Sequence, residues 1–443
     1  PITRPYSYEL ATPRNAVSAS GLRAGVELGA TDAALTGAAA LEGSVENEGI
    51  RQANNIGDIN GDLADDFMVV SDALAYVMLG PVKMDRVENI VDSADFIIDL
   101  EDFGTPAVRM GDVGGPAGVA DGINDLIFLR DNGDLVVVFG RPDLPRFINA
   151  DTVQPDRIKD AFVAASDAPN ATVAALNWNG DAEMDVLISP ADLSDAYIIN
   201  GDSIAAGGNL SILHTIGKDL LPANLPATAS AVLGVATLPG GTTTGGAFNY
   251  DVTIAGDVDG DGRDDLVFLN RTSITLGGPL AGLPAIGSAY LVNGGAIGGF
   301  TDLESESDAI WRGLGLDGVA GLGDFNNDGY DDFGLTRSIE EGTAAVGSVL
   351  VIAGAQSYGG GVPIFTDLDD AAAALFTRGN VGEDGRFSGR TMVTAGDFDG
   401  DGRLDLAVGL LETRIAHQSG QVIDENDTGQ LAVFYDLGAS FGT

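Results

Sequence analysis

The sequence predicts an all-β chain folded as a β-propeller of four-stranded blades. Three observations carry that expectation. An Asp-rich loop recurs with its first ligand at 58, 112, 177, 257, 324 and 397, an interval of 54 to 80 residues. Apolar runs of strand length, rich in β-branched residues, flank the loops, such as Tyr250–Ala255 before and Leu266–Leu269 after. A further apolar run follows, as in Ala75–Gly80, Asp134–Gly140, Ala196–Gly201, Ala289–Gly294, Ser348–Gly354 and Gln430–Tyr435, and a fourth element such as Ala309–Gly313 or Ala374–Arg378 completes each unit.

The loop shows its chemistry most fully at 257. Acidic oxygens stand at positions one, three, five and nine (Asp257, Asp259, Asp261, Asp265), and position seven, Arg263, offers a main-chain carbonyl. Gly260 and Gly262 let the backbone curl. Carboxylates crowded this way repel one another unless a hard, oxygen-seeking cation, above all Ca²⁺, lies between them. Asp397, Asp399, Asp401, Arg403 and Asp405 repeat the pattern, as do Asp324, Asn326, Asp328, Tyr330 and Asp332, where Asn327 replaces glycine. Asn is the next best residue for left-handed backbone. Asp58, Asn60, Asp62, Ala64 and Asp66 form the fourth well-formed loop. Asn177, Asn179, Asp181, Glu183 and Asp185 make a weaker one, for which a metal site and a plain polar turn stand level. The loop of Asp112, Asp121, Ile123 and Asp125 is interrupted by an insertion. It reads as remodelled, with weak or no metal, unless the insertion folds out and leaves the ligands in place. Four calcium ions are therefore expected, and up to six. An EF-hand needs an acidic residue at position twelve and helices on both sides; position twelve is Phe268, Val408 or Leu335, and the flanks are strand-like.

Taken in order, residues 1–37 carry no loop and read as an N-terminal extension or partial blade. Residues 38–443 read as one propeller domain. Residues 38–48 resemble the strand before each later repeat. They would supply the outer strand of the blade ending near Tyr435, joining the chain ends and protecting the sheet edges. Six blades are favoured; a seventh would have to come from residues 1–37 and the C-terminal tail. The Gly/Thr-rich stretch 239–246 lengthens the interval before Asp257 and reads as a projecting loop.

At 443 residues, with 63 glycines and 44% hydrophobic residues, the chain suits many short strands and tight turns. Its net charge of −44 leaves an acidic surface even after the expected ions bind, and only Lys83, Lys159 and Lys218 are lysines. Such a surface repels nucleic acid and anionic membranes, and no apolar run is long enough for direct membrane insertion. High salt would screen the self-repulsion. There is no cysteine. Calcium would fasten the loops instead, and millimolar calcium is extracellular, so a secreted or cell-surface location is expected, with an extracellular protein or glycan as partner and the chain itself part of a larger surface or secreted protein.

The pattern resembles FG-GAP repeats, the blades of the integrin α-subunit head and its bacterial relatives. The correspondence is clearest at Phe387-Ser388-Gly389, then Gly396–Gly402, then Asp405–Gly409, and it spans roughly residues 40–436. The resemblance implies a toroid with calcium loops on one face and ligand recognition on the opposite face or rim. Two departures stand out: six repeats are found where the integrin head has seven, and the Phe-Gly signature is degraded in most of them.

No nucleophile elbow, zinc-protease helix or phosphate loop occurs. His214 and His417 lie in separate repeats and read as surface or core residues. Trp178 and Trp311 adjoin strands, which favours packing over sugar stacking. The expected function is therefore a non-enzymatic, calcium-stabilised adhesion module for an extracellular protein or glycan. A lectin or carbohydrate-active lyase or hydrolase on the same scaffold is the alternative, and a surface-layer component a third.

Overall fold

A computed structural model describes residues 40–42, 52–80, 87–160, 171–190, 195–207, 209–217, 250–274, 286–341, 344–358, 365–367, 374–377, 392–396, 403–410 and 430–434. Within them the chain is mostly β, in sheets of four or five strands, the arrangement of a β-propeller.

The first sheet runs Gln52–Gly57, Asp66–Val70, Leu74–Met78 and Phe96–Asp99, each strand antiparallel to the last. The meander returns in Thr105–Pro106, Leu126–Leu129, Asp134–Val138 and Arg157–Asp160. Thr172–Leu176, Asp185–Ser189, Ala196–Ile199 and Ile212–Gly217 form the third sheet. Tyr250–Gly256, Asp265–Ile274, Ile286–Val292 and Ala309–Leu314 form the fourth. Leu316–Gly323, Asp332–Glu341, Ala344–Ile352 and Ala374–Thr377 form the fifth. Met392–Gly396, Asp405–Leu410 and Gln430–Phe434 form the last, with three strands among the described residues.

The middle strands read as continuous apolar runs because both faces are covered. Leu126–Leu129 and Val136–Val138 are buried throughout, as are Leu266–Leu269. Clusters of these side chains span adjacent sheets: Leu176, Leu187 and Ile198 of the third pack with Leu266, Phe268 and Tyr290 of the fourth. Ala289, Leu291 and Trp311 of the fourth pack with Phe333, Leu335 and Leu350 of the fifth.

One feature departs from the expected four-stranded unit. Before its outer strand, a unit sends a short strand sideways to run parallel with the outer strand of the preceding sheet. Phe147–Ile148 pairs with Phe96–Asp99, Phe300–Asp302 with Ile212–Gly217, and Phe365–Asp367 with Ala309–Leu314. Val87–Asn89 of the first unit makes the same parallel pairing with Ala40–Glu42.

Candidate metal centre

Each loop joins the first and second strands of its sheet, as its flanking sequence requires. In the loop at 257, the Asp257 carboxylate accepts from the Asp261 N–H at 2.8 Å and the Gly262 N–H at 2.9 Å. Asp259 Oδ1 accepts from Asp261 N–H at 3.1 Å, and Asp261 Oδ1 from Arg263 N–H at 3.0 Å. The loop at 324 repeats this: Asp324 accepts from Asp328 and Gly329, Asn326 from Asp328, and Asp328 from Tyr330. The loop at 58 does the same through Asp62, Leu63 and Ala64, with Asn60 and Gly61 adding two further donors to Asp58. Short Asp and Asn side chains are selected because the oxygens at positions three and five reach the N–H two residues on, while the position-one carboxylate reaches those four and five residues on.

Backbone handedness follows the same frame. Position four is left-handed at Gly61, Gly180, Gly260 and Asn327, the last at φ 62°. Position six is left-handed at Gly122, Gly262 and Gly329, and also at Leu63, with φ 71°. Leu63 is 94% exposed, so no packing compensates it.

Position two is apolar and buried in every described loop: Ile59, Val113, Trp178, Val258 and Phe325. Trp178 is therefore the plug beneath its loop, its indole N–H donating to the Ala296 carbonyl at 2.8 Å. Trp311 is buried between Phe333 and Tyr358. His214 is buried too, with ring nitrogens 3.2 Å from the Gly298 carbonyl and 2.9 Å from the Thr301 hydroxyl, stacked on Trp178. Burial holds its pKa below the usual imidazole value. His417 lies outside the described residues, as do Asp397, Asp399 and Asp401; Arg403 and Asp405 are described, and Asp405 is buried.

Position nine does more than the sequence suggested. Asp66 accepts from the Ile59 and Gly80 N–H groups, Asp125 from Val113 and Gly140, Asp265 from Val258 and Gly294, and Asp332 from Asn326 and Gly354. Asp185 accepts from Gly201. This carboxylate ties the top of the loop to the glycine two residues beyond the third strand.

The insertion after Asp112 folds out of the frame. Asp112 accepts from Gly122 N–H at 2.5 Å, the position-six bond of the other loops, and Asp125 keeps both anchoring bonds. The loop is therefore not remodelled at its ends. In the loop at 177, Asn177 accepts from Gly180, and Asn179 both accepts from the Asp181 N–H and donates to its carboxylate. Glu183 instead accepts from Ala120 of the preceding unit at 3.2 Å.

Among the described residues, one group of carboxylates converges far enough to hold an ion: Asp257, Asp259 and Asp265, with oxygens within 4.8 Å of one another. Burial pushes the Asp265 carboxyl up to about 8; the Gly294 N–H pulls it down, and the Asp259 and Asp261 charges push it up. Asp259 is raised as well, by burial and then by the Asp261 charge. An oxygen-only donor set, partly buried and mutually repelling, fits a hard divalent cation. Arg263 turns its guanidinium onto Asp261 at 2.7 Å, drawing that carboxylate outward.

The loops are also joined to one another. The residue at position eight donates its N–H to the position-one carbonyl of the preceding unit: Asn124 to Asp58, Met184 to Asp112, Asp264 to Asn177 and Asp331 to Asp257, all at 2.8–2.9 Å. The Asp264 and Asp331 carboxylates return the contact by accepting the N–H groups of Asn177 and Asp257.

No family model matches the chain, and no curated protein matches it. Similar solved structures include the β-propeller domain of Nup133 from Vanderwaltozyma polyspora, at 9% identity and a TM-score of 0.38, covering 87% of this chain and 90% of that one. A subtype N11 neuraminidase-like protein of a flat-faced bat isolate from Peru is 10% identical, with a TM-score of 0.34 and coverage of 88% and 89%. BBS1N, solved in complex with ARL6DN, is 9% identical, with a TM-score of 0.33 and 82% of each chain covered. None of these likenesses bears on what the protein does.

Proposed function

We propose that this chain is a calcium-fastened, six-bladed propeller of FG-GAP type, serving as a secreted or cell-surface binding module for an extracellular protein or glycan. The observation that carries the reading is the convergence of Asp257, Asp259 and Asp265 within a loop whose hydrogen-bond frame recurs at 58 and 324. In such a loop, positions one, three, five and nine and the position-seven carbonyl would hold the cation, which neutralises their charge and stiffens the turn. The chain's own residues then present rigid loops at one end of each sheet. The sixth blade closes in this reading with Ala40–Glu42 as its outer strand. The parallel pairing of that segment with Val87–Asn89 supports this, since the same pairing elsewhere joins a crossing strand to the outer strand of the preceding sheet.

The test is elemental analysis of the purified chain, with thermal unfolding in calcium and in chelator. Close to one calcium per well-formed loop, and a transition that drops sharply on chelation, is the expected result. A metal-free protein with an unchanged transition overturns the reading, because binding to the folded state alone must raise stability. Binding to panels of extracellular proteins and glycans in calcium then separates protein from glycan recognition.

A further inference from the structure

The residue just after the third strand of a sheet is held by its main chain. Its N–H donates to the aspartate that precedes the outer strand: Leu79 to Asp95, Phe139 to Asp156 and Asn293 to Asp308, each at 2.9 Å. The glycine that follows donates to the position-nine carboxylate, as Gly294 does to Asp265 at 2.8 Å. The side chain at this place is left to differ: Leu79, Phe139, Asn200, Asn293 and Ala353. In the fourth unit it reaches the loop. The Asn293 amide nitrogen donates to Asp259 Oδ2 at 2.6 Å. The amide oxygen is buried and accepts no hydrogen bond among the described residues. A buried oxygen left in that state is costly, so the amide is oriented by what its nitrogen does.

Comparison of the loops shows why a donor is needed there. In the loops at 58, 177 and 324 position three is asparagine, and its amide donates to the position-five carboxylate: Asn60 to Asp62, Asn179 to Asp181 and Asn326 to Asp328. Each of these loops carries its own donor between its acids. The loop at 257 has Asp259 at position three, so a charge stands where that donor stood. Asp259 feels the charges of Asp261, Asp257 and Asp308. Two other donors take over, Asn293 on Asp259 and the Arg263 guanidinium on Asp261 at 2.7 Å. The third unit also has an asparagine at the place of Asn293, but position three of its loop is Asn179, with no carboxylate to receive it. Residues 293 and 294 therefore touch two of the three converging carboxylates at once, Asp259 through a side chain and Asp265 through the main chain.

We propose that Asn293 is a positioning residue for the cation of the loop at 257, holding Asp259 beside Asp257 and Asp265 before the ion arrives and so raising that loop's affinity for calcium. The inference rests on the calcium reading above and adds to it a residue from outside the loop. Asn293 acts through Asp259 and contributes no ligand oxygen of its own. With Oδ2 on Asn293 and Oδ1 on the Asp261 N–H, Asp259 is fixed at both oxygens against the repulsion of its neighbours. Partners of this kind orient the ligands they touch, and losing one lowers metal affinity about 10–100-fold.

The test is calorimetric titration of the full, chelator-stripped chain with calcium. Asp259→Ala identifies the binding step that belongs to this loop, as the step it removes. Asn293→Leu keeps the volume of the side chain and removes the donor; it should weaken that same step by at least about tenfold, leave the other steps unchanged and leave unfolding in chelator close to the parent's. Leucine and alanine stand at this place in the first and fifth units, as Leu79 and Ala353, so Asn293→Ala provides the readout if the leucine variant does not fold. A step unchanged in both variants overturns this proposal alone. Equal weakening of every step, together with a lower unfolding midpoint in chelator, would make Asn293 a structural residue and also overturn it. A parent that takes up no calcium, or an Asp259→Ala protein that loses no step, overturns it together with the reading of this loop on which it rests.

Discussion

Replacing Asp265 by Ala separates the two duties of position nine. The carboxylate is fully buried and accepts from the Val258 and Gly294 N–H groups, each at 2.8 Å. Truncation leaves both donors unpaired. A buried donor without a partner costs about 1–3 kcal/mol, so two cost about 2–6 kcal/mol, a large part of the stability of an ordinary domain. That loss does not involve the metal. Asp259→Ala is the contrast: its half-buried carboxylate accepts from the Asp261 N–H and the Asn293 amide, and it sits beside other negative charges. Without calcium its removal should shift stability by less than about 1 kcal/mol, lost hydrogen bonds and relieved repulsion offsetting each other. With calcium it removes a ligand and forfeits the linkage stabilisation, about 2.7 kcal/mol for an ion at a hundred times its Kd. Urea unfolding of both variants, with calcium and with chelator, reads the four values. Asp265→Ala should be destabilised in both media and Asp259→Ala chiefly in calcium. An Asp265→Ala protein as stable as the parent in chelator would refute the anchoring role.

Other expectations follow from single positions. Gly354→Ala places a Cβ against the Asp331 carbonyl and the Tyr330 side chain, so it should destabilise by about 1–3 kcal/mol in denaturant titration; an unchanged midpoint would show that the backbone gives way there. Leu63→Gly relieves an exposed left-handed residue and should stabilise by about 1 kcal/mol, after the extra entropy of glycine in the unfolded chain is deducted; a loss of stability would reveal a contact for the leucine. His214 has its folded pKa below the unfolded value near 6.5, so the unfolded chain takes up the proton first and stability falls as pH drops below that value, levelling off beneath the folded pKa. The difference in unfolding free energy between the parent and His214→Gln should therefore shrink or reverse from pH 7.5 to pH 5; a pH-independent difference would contradict it. Deleting residues 1–46 should abolish a single cooperative transition if Ala40–Glu42 closes the ring, whereas an intact transition would remove it from the closure.

The frame of the loops was legible in the residues themselves, because each oxygen in it acts on a backbone group two to five positions away. Asn327 was expected to be left-handed and is. Position nine looked like one more ligand, since the glycine it holds lies 14 to 29 residues further on at a variable offset. The regular glycines Gly80, Gly140, Gly201, Gly294 and Gly354 were the available signal. Position eight gave none: Asn124, Met184, Asp264 and Asp331 share no chemistry, because their common act is a main-chain N–H reaching the neighbouring unit. The crossing strands escaped notice for another reason. At two or three residues they are too short for any periodicity, and their order depends on the edge they cover.

That neighbour-to-neighbour hydrogen bond gives the molecule a direction in time. Four loops are latched by a residue of the unit made after them: Asp58 by Asn124, Asp112 by Met184, Asn177 by Asp264 and Asp257 by Asp331. On the ribosome, where residues emerge at about 5–20 per second, a unit therefore waits several seconds for its successor before its first carbonyl is secured. Assembly proceeds like a zip drawn from the N-terminus, with the newest unit always the loosest.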